Sequence, residues 1–211
     1  MGGQIKVSGL QGAVYGSNGL GENNDLNWQA DYGRNQNKGT RQVFGGAIAS
    51  SDYNSSSIHV GARAAHTMAV SDATKFKPSV SVDYTNIKED GYTEAGAGAL
   101  DLTVGAHSTS AFVLGVDGKV SHALSDATNL FANLGLDYDT QAKQASITSS
   151  FQGGGAAFTT EGINPSKTTL RYGVGVVVSS SKSMQITARY DGASRSGFTG
   201  KTASVKFNMP F

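Results

Sequence analysis

Cysteine is absent from the 211 residues, which removes disulfides, thiolate nucleophiles and thiolate metal ligands from consideration. Proline is scarce, with 3 residues, and charge is balanced, with 17 Lys and Arg against 16 Asp and Glu. No basic run is long enough to grip phosphates, so no nucleic-acid partner is expected. No window approaches the roughly 18 consecutive apolar residues of a transmembrane helix. That absence leaves a membrane barrel open, because each of its strands needs only about 9 to 11 residues with every second one apolar. A mean hydropathy of -0.26 is compatible with such a chain. The amino terminus "MGGQIKVSG" lacks a basic segment followed by an apolar one, so no signal peptide is expected there.

What the chain does have is glycine, 28 residues of it, with abundant Ser, Thr and Asn and a period of two nearly throughout. In "NLFANLGLDYDT" Leu130, Ala132, Leu134, Leu136 and Tyr138 share one face, opposite Asn133, Gly135, Asp137 and Asp139. "SVSVDYT" sets Val80, Val82 and Tyr84 against Ser81, Asp83 and Thr85. "TLRYGVGVVV", "SMQITARYDG", "SIHVGARAAHTMAV", "AFVLGVDGKVSH" and "DLNWQADYG" alternate in the same way. The opening "QIKVSGLQGAVYG" is less regular and suggests a phase slip near Gly9. With the closing "GFTGKTASVKFNMPF", nine strands are expected.

Two kinds of connection separate these segments. "SDAT" at 71 to 74 and again at 125 to 128 reads as a tight turn, whereas 35 to 57 and 140 to 168 read as long polar loops. Short turns on one rim and long loops on the other suit an antiparallel transmembrane β-barrel, the expected all-β fold class. A soluble β-sandwich alternates too. Against it stand the mid-strand charges Asp31, Arg63, Asp83, Asp117, Lys119, Asp137, Arg171 and Arg189 on the polar faces. Tyr32, Tyr84, Tyr138 and Tyr190 close the apolar faces, as an aromatic girdle at a lipid interface would. Asp83, Asp117, Lys119, Asp137, Arg171 and Arg189 are therefore expected to face a wet lumen, and the apolar rows outer-membrane lipid.

The last strand places Val205, Phe207, Met209 and Phe211 on one face and Lys206, Asn208 and Pro210 on the other. Pro210 has no N–H and fits only near a strand end.

The stretch "YTNIKEDGYTEAGAGALDLTVGAHSTSAFVLGVDGKVSHAL" resembles the middle of the translocator domain of monomeric autotransporters, the type V secretion proteins. The resemblance rests on Tyr84, Asp90, Gly91, Tyr92, Glu94, Gly96, Ala97, Gly98, Ala99, Leu100, Leu102 and Val104, and on the final hairpin with Tyr190, Asp191 and Gly192. It covers nearly the whole chain and implies one β-barrel domain over residues 1 to 211, in the outer membrane of a Gram-negative cell. The resemblance further implies a family barrel of about twelve strands, so with nine expected here either the first strands and the pore helix lie upstream, or the barrel is a smaller variant closing with about eight or ten strands. It implies an N-terminal passenger exported through the barrel. It also implies insertion by the barrel-assembly machinery through the last strand, with Val205, Phe207, Met209 and Phe211 as the assembly signal. The alternative is a small outer-membrane adhesin or ligand-binding barrel acting through its long loops.

Catalytic signals are thin. Asp137 and Asp139 share a face as an acid and base pair might, but lumen acids balanced by Arg171 and Arg189 explain them as well. His59, His66, His107 and His122 have no helical ligand spacing, and "GSNGLG" at 16 to 21 precedes no helix. Asn23-Asn24 is similar to the cleavage point of some self-cleaving autotransporters but precedes a strand. No enzyme activity, metal or cofactor is expected.

Overall fold

The computed structural model describes residues 2–179 and 184–209. Its strands in chain order are β1 (Gly3–Gly19), β2 (Asn24–Gln42), β3 (Ile48–His66), β4 (Met68–Ala69), β5 (Thr74–Glu89), β6 (Tyr92–Thr93), β7 (Leu102–Val104), β8 (His107–Ser125), β9 (Thr128–Asp139), β10 (Ser146–Phe151), β11 (Phe158–Glu161), β12 (Thr168–Ser179), β13 (Gln185–Arg195) and β14 (Phe198–Asn208). Nine of them form one antiparallel sheet in the order β1-β2-β3-β5-β8-β9-β12-β13-β14, with β4 beside β5. The nine strands expected from alternation are these nine. A single 3-10 turn, Gly98–Leu100, is the one helical element among the described residues.

Register turns the alternation into two faces. Residues directly opposite one another in an antiparallel ladder point the same way. Trp28 faces Ala62, Ala62 faces Val82, Val82 faces Leu114, and Leu114 faces Tyr138. Further along, Leu134 faces Tyr172, Val174 faces Tyr190, and Ile186 faces Phe207. The apolar rows thus join into one outer surface, on which Leu134 is 60% and Val205 60% exposed. Exposure on that scale has no place in a sandwich core. On the other face, Arg63 of β3 reaches across β5 to Asp117 of β8 at 3.1 Å, and Arg171 of β12 reaches across β9 to the same Asp117 at 4.0 Å. Strands two apart are separated by roughly 9 to 10 Å, so these pairs form on the inside of a curl. Strands β1 and β14 each pair on one side, so the curled sheet is open among the described residues.

Three sequence expectations are corrected. Residues 35 to 57 are no loop: β2 and β3 stay paired from Asn24↔His66 to Gln42↔Ile48, leaving 43–47 as the connection. Both faces of this extension are polar, Arg34, Gln36 and Lys38 on one and Asn35 and Asn37 on the other, and period-two reading fails where the two faces do not differ in polarity. There is also no backbone slip at Gly9, since β1 and β2 hold register from Gly3↔Arg41 to Gly19↔Asp25. The side-chain pattern inverts instead, with Ile5 and Val7 on the inner row beside Gly39 and Asn37. Finally, the β13–β14 turn is tight, with Gly197 at φ 76°, although it lies on the rim that carries the long connections.

The β5–β8 and β9–β12 connections fold into a second sheet, ordered β11-β10-β7-β6. It caps the inner side of the β2–β3 extension. Ser50 and Ala95 exchange backbone bonds of 2.8 and 2.9 Å, and Tyr92 stacks on Tyr53 with centroids 4.4 Å apart. Glycines aside, most of the described buried residues sit in or beside this cap: Ala49 (1% exposed), Asp101, Glu94, Val43, Val104 and Ser149.

Candidate functional site

All six expected lumen charges lie on the inner face, and most are paired across strands. Arg171 clasps Asp137 through Nε at 2.5 Å and Nη2 at 2.7 Å. Arg189 bonds Asp191 on its own strand at 2.7 Å and reaches Asn133 at 3.5 Å. The Asp117 side chain, 7% exposed, lies where Arg63, Arg171 and the Asn133 amide at 3.4 Å converge. Asp83 meets the His59 ring, whose other nitrogen lies 2.9 Å from Asp31. Lys119 differs: its ammonium lies over the Phe131 ring, 4.4 Å from the centroid. Of these, His59, Arg63, Asp83, Asp137 and Arg171, together with Gln29, line a cavity of about 950 Å³.

Glycine makes that layout possible. A Cβ at Gly135 would stand 2.7 Å from Asp117 Oδ2 and 3.2 Å from Arg171 Nη2, and one at Gly115 would stand 2.7 Å from Asp137 Oδ1. The charged groups lie flat over neighbouring glycines, which keeps them paired and keeps the passage clear.

Phe131, 7% exposed beneath Lys119 and 5.7 Å from Arg189, escaped the sequence reading. Parity could have flagged it, since it is the apolar member of the polar row in "NLFANLGLDYDT". Tyr15, opposite Gln29 on the inner row of β1, was missed for the same reason. Asp139 shares the row of Asp137 but accepts from the Phe112 and Gln141 N–H groups, so the two acids do not work as a pair.

At the long-loop rim, Arg41 grips Glu94 through Nε at 3.0 Å and Nη2 at 2.5 Å and also donates to the Leu100 carbonyl at 3.0 Å. Glu94 accepts the Leu102 N–H at 2.9 Å. Burial pushes the Glu94 carboxyl up, but Arg41 and the Leu102 amide outweigh it and hold its pKa below the ordinary value. On the outer face, Tyr32 is followed toward this rim by Arg34, Tyr84 by Asn86, Tyr138 by Thr140 and Tyr190 by Gly192, so each tyrosine ends the apolar band of its strand.

Of the closing-strand residues, Val205, Phe207 and Met209 are 58 to 61% exposed, with Val205 and Phe207 on the outer row. Phe211 lies outside the described residues.

The family profile of the autotransporter beta-domain matches residues 1–191. The chain belongs to this family. Outer membrane protein A of Rickettsia rickettsii is 28% identical over 181 residues, which is 82% of this chain and 8% of the relative. Its namesake in Rickettsia conorii matches at 28% over 82% of this chain and 9% of the relative. The chain therefore spans less than a tenth of these curated relatives. Among solved structures, the translocator domain of autotransporter NalP from Neisseria meningitidis superposes with a TM-score of 0.72, at 20% identity, over 99% of this chain and 68% of that one. The Ralstonia pickettii toluene transporter TbuX shares the curled sheet at 0.57, 11% identity, 95% and 59% coverage. This autotransporter β-domain belongs to the outer membrane of a Gram-negative bacterium, and its nine-stranded curled sheet has the fold of the NalP domain.

Proposed function

We propose that residues 1–211 act as one unit that carries an N-terminal passenger to the cell surface by a physical path. The division of faces supports this most directly. The outer rows hold Leu134, Val174 and Val205 for acyl chains, and the inner rows hold Asp83, Asp117, Lys119, Asp137, Arg171 and Arg189 to keep a hydrated way through. In hydrocarbon an unpaired backbone group costs several kcal/mol, so the free edges of β1 and β14 need partners. We assign β14 to the barrel-assembly machinery: its free edge takes another strand, and Val205, Phe207 and Met209 supply side-chain selectivity.

The experiment is surface display. A protease-sensitive reporter placed upstream in the full natural chain should become cleavable by protease added to intact cells. Protection of the reporter in cells whose outer membrane holds the folded β-domain would overturn the reading. Phe207→Asp should lower the amount of inserted protein while leaving synthesis unchanged.

A further inference from the structure

The inner charges are ordered by sign along the passage. On β5, Lys75 and Lys77 precede Asp83, and β5 climbs from the short-turn rim to the long-loop rim. On β8, which runs down, Asp117 precedes Lys119. On β13, which climbs, Arg189 precedes Asp191. Each of these cations sits nearer the short-turn rim than the acid named with it. β14 adds Lys206 two residues before its end at Asn208, on the inner row opposite Thr187, while Asp31, Asp83 and Asp137 lie toward the other rim. Four inner-row residues break the order: Asp25 is paired with Lys77 at 2.6 Å, Arg171 with Asp137 and Arg41 with Glu94, and Arg195 lies over the Phe198 ring. Among the described residues of the inner strand rows, Lys75, Lys119 and Lys206 at the short-turn end have no carboxylate within 4 Å, against Arg195 alone at the long-loop end, so most of the unpaired cations of the inner wall are gathered at one end.

We infer that the short-turn end of the lumen, through Lys75, Lys119 and Lys206, is a binding surface for acidic segments of the polypeptide that enters the barrel. Facing cations on low-dielectric walls concentrate counter-charge. The Phe131 ring holds Lys119 in position without supplying an anion, which leaves the ammonium free to take a carboxylate. Acids nearer the other rim then oppose a second resting place for the same segment, giving one entry site. This rests on the export reading for the identity of the ligand, and its test is independent of export.

The test uses short fluorescent peptides of equal length, one Glu-rich and one Lys-rich, titrated onto the folded protein in neutral detergent. The Glu-rich peptide should bind about tenfold tighter at low salt, and the difference should vanish at high salt. Lys75→Gln, Lys119→Gln and Lys206→Gln together should erase the preference. Lys206→Gln alone, on an exposed edge strand, keeps the test open if the triple variant misfolds, and should weaken Glu-rich binding about twofold. Equal affinity for the two peptides, or a preference untouched by these variants, overturns the inference. A clear preference combined with failed surface display leaves the inference standing and removes the export reading; successful display without preference does the reverse.

Discussion

The wall and the cap of this molecule obey opposite rules. The wall turns its leucines and valines outward and keeps ion pairs inside, while the cap buries Ala49, Val43 and Val104 around one bidentate Arg41–Glu94 pair, as a water-soluble domain would. Sharing β2 and β3, the two regions show that one pair of strands can serve two solvents, provided that the side chains change where the medium does.

The comparison breaks hardest at Glu94. Replacing it with Ala strands Arg41 and the Leu102 amide, and should cost the cap about 3 kcal/mol. Hydrogen exchange at Leu102 and Ala95 should accelerate while the wall ladders hold. Acidification reaches the same contact. Because folding lowers the Glu94 pKa, its contribution is complete above the unfolded value and is lost as pH falls through the folded one. Cap protection should therefore fade well below about pH 4, as seen by exchange at pH 6 against pH 3.

In the wall, Asp117→Asn leaves Arg63 and Arg171 short of a charge and should cost about 2 kcal/mol in urea unfolding from detergent. Gly135→Ala pushes a methyl against Asp117 and Arg171, whose ends can shift, so about 1 kcal/mol is expected in the same assay. Arg189→Gln breaks a half-exposed pair and should change the midpoint by no more than about 0.5 kcal/mol.

Legibility followed the solvent boundary. Where one side meets lipid and the other water, as in 128–139, alternation revealed strand, facing and charge placement together. Above the bilayer it was silent: nothing in "RNQNKGTRQ" separates strand from loop, because the two faces are equally polar, with Asn37 donating to Ser55 on one and Gln36 to Asp52 on the other. The motif at 90 to 104 carried the resemblance without showing its purpose, since Glu94 finds Arg41 at a separation of 53 residues. Phe131 shows the converse limit: an apolar residue on a polar row is visible as an exception, yet its pairing with Lys119 is settled by the ladder between β8 and β9.

The unbroken β2–β3 ladder has a mechanical consequence. Its upper portion, from Gly33 to Gln42, extends roughly 30 Å along the strand beyond the last girdle tyrosine. Load applied at the long-loop rim would be carried into the rest of the sheet as shear spread over many parallel backbone bonds.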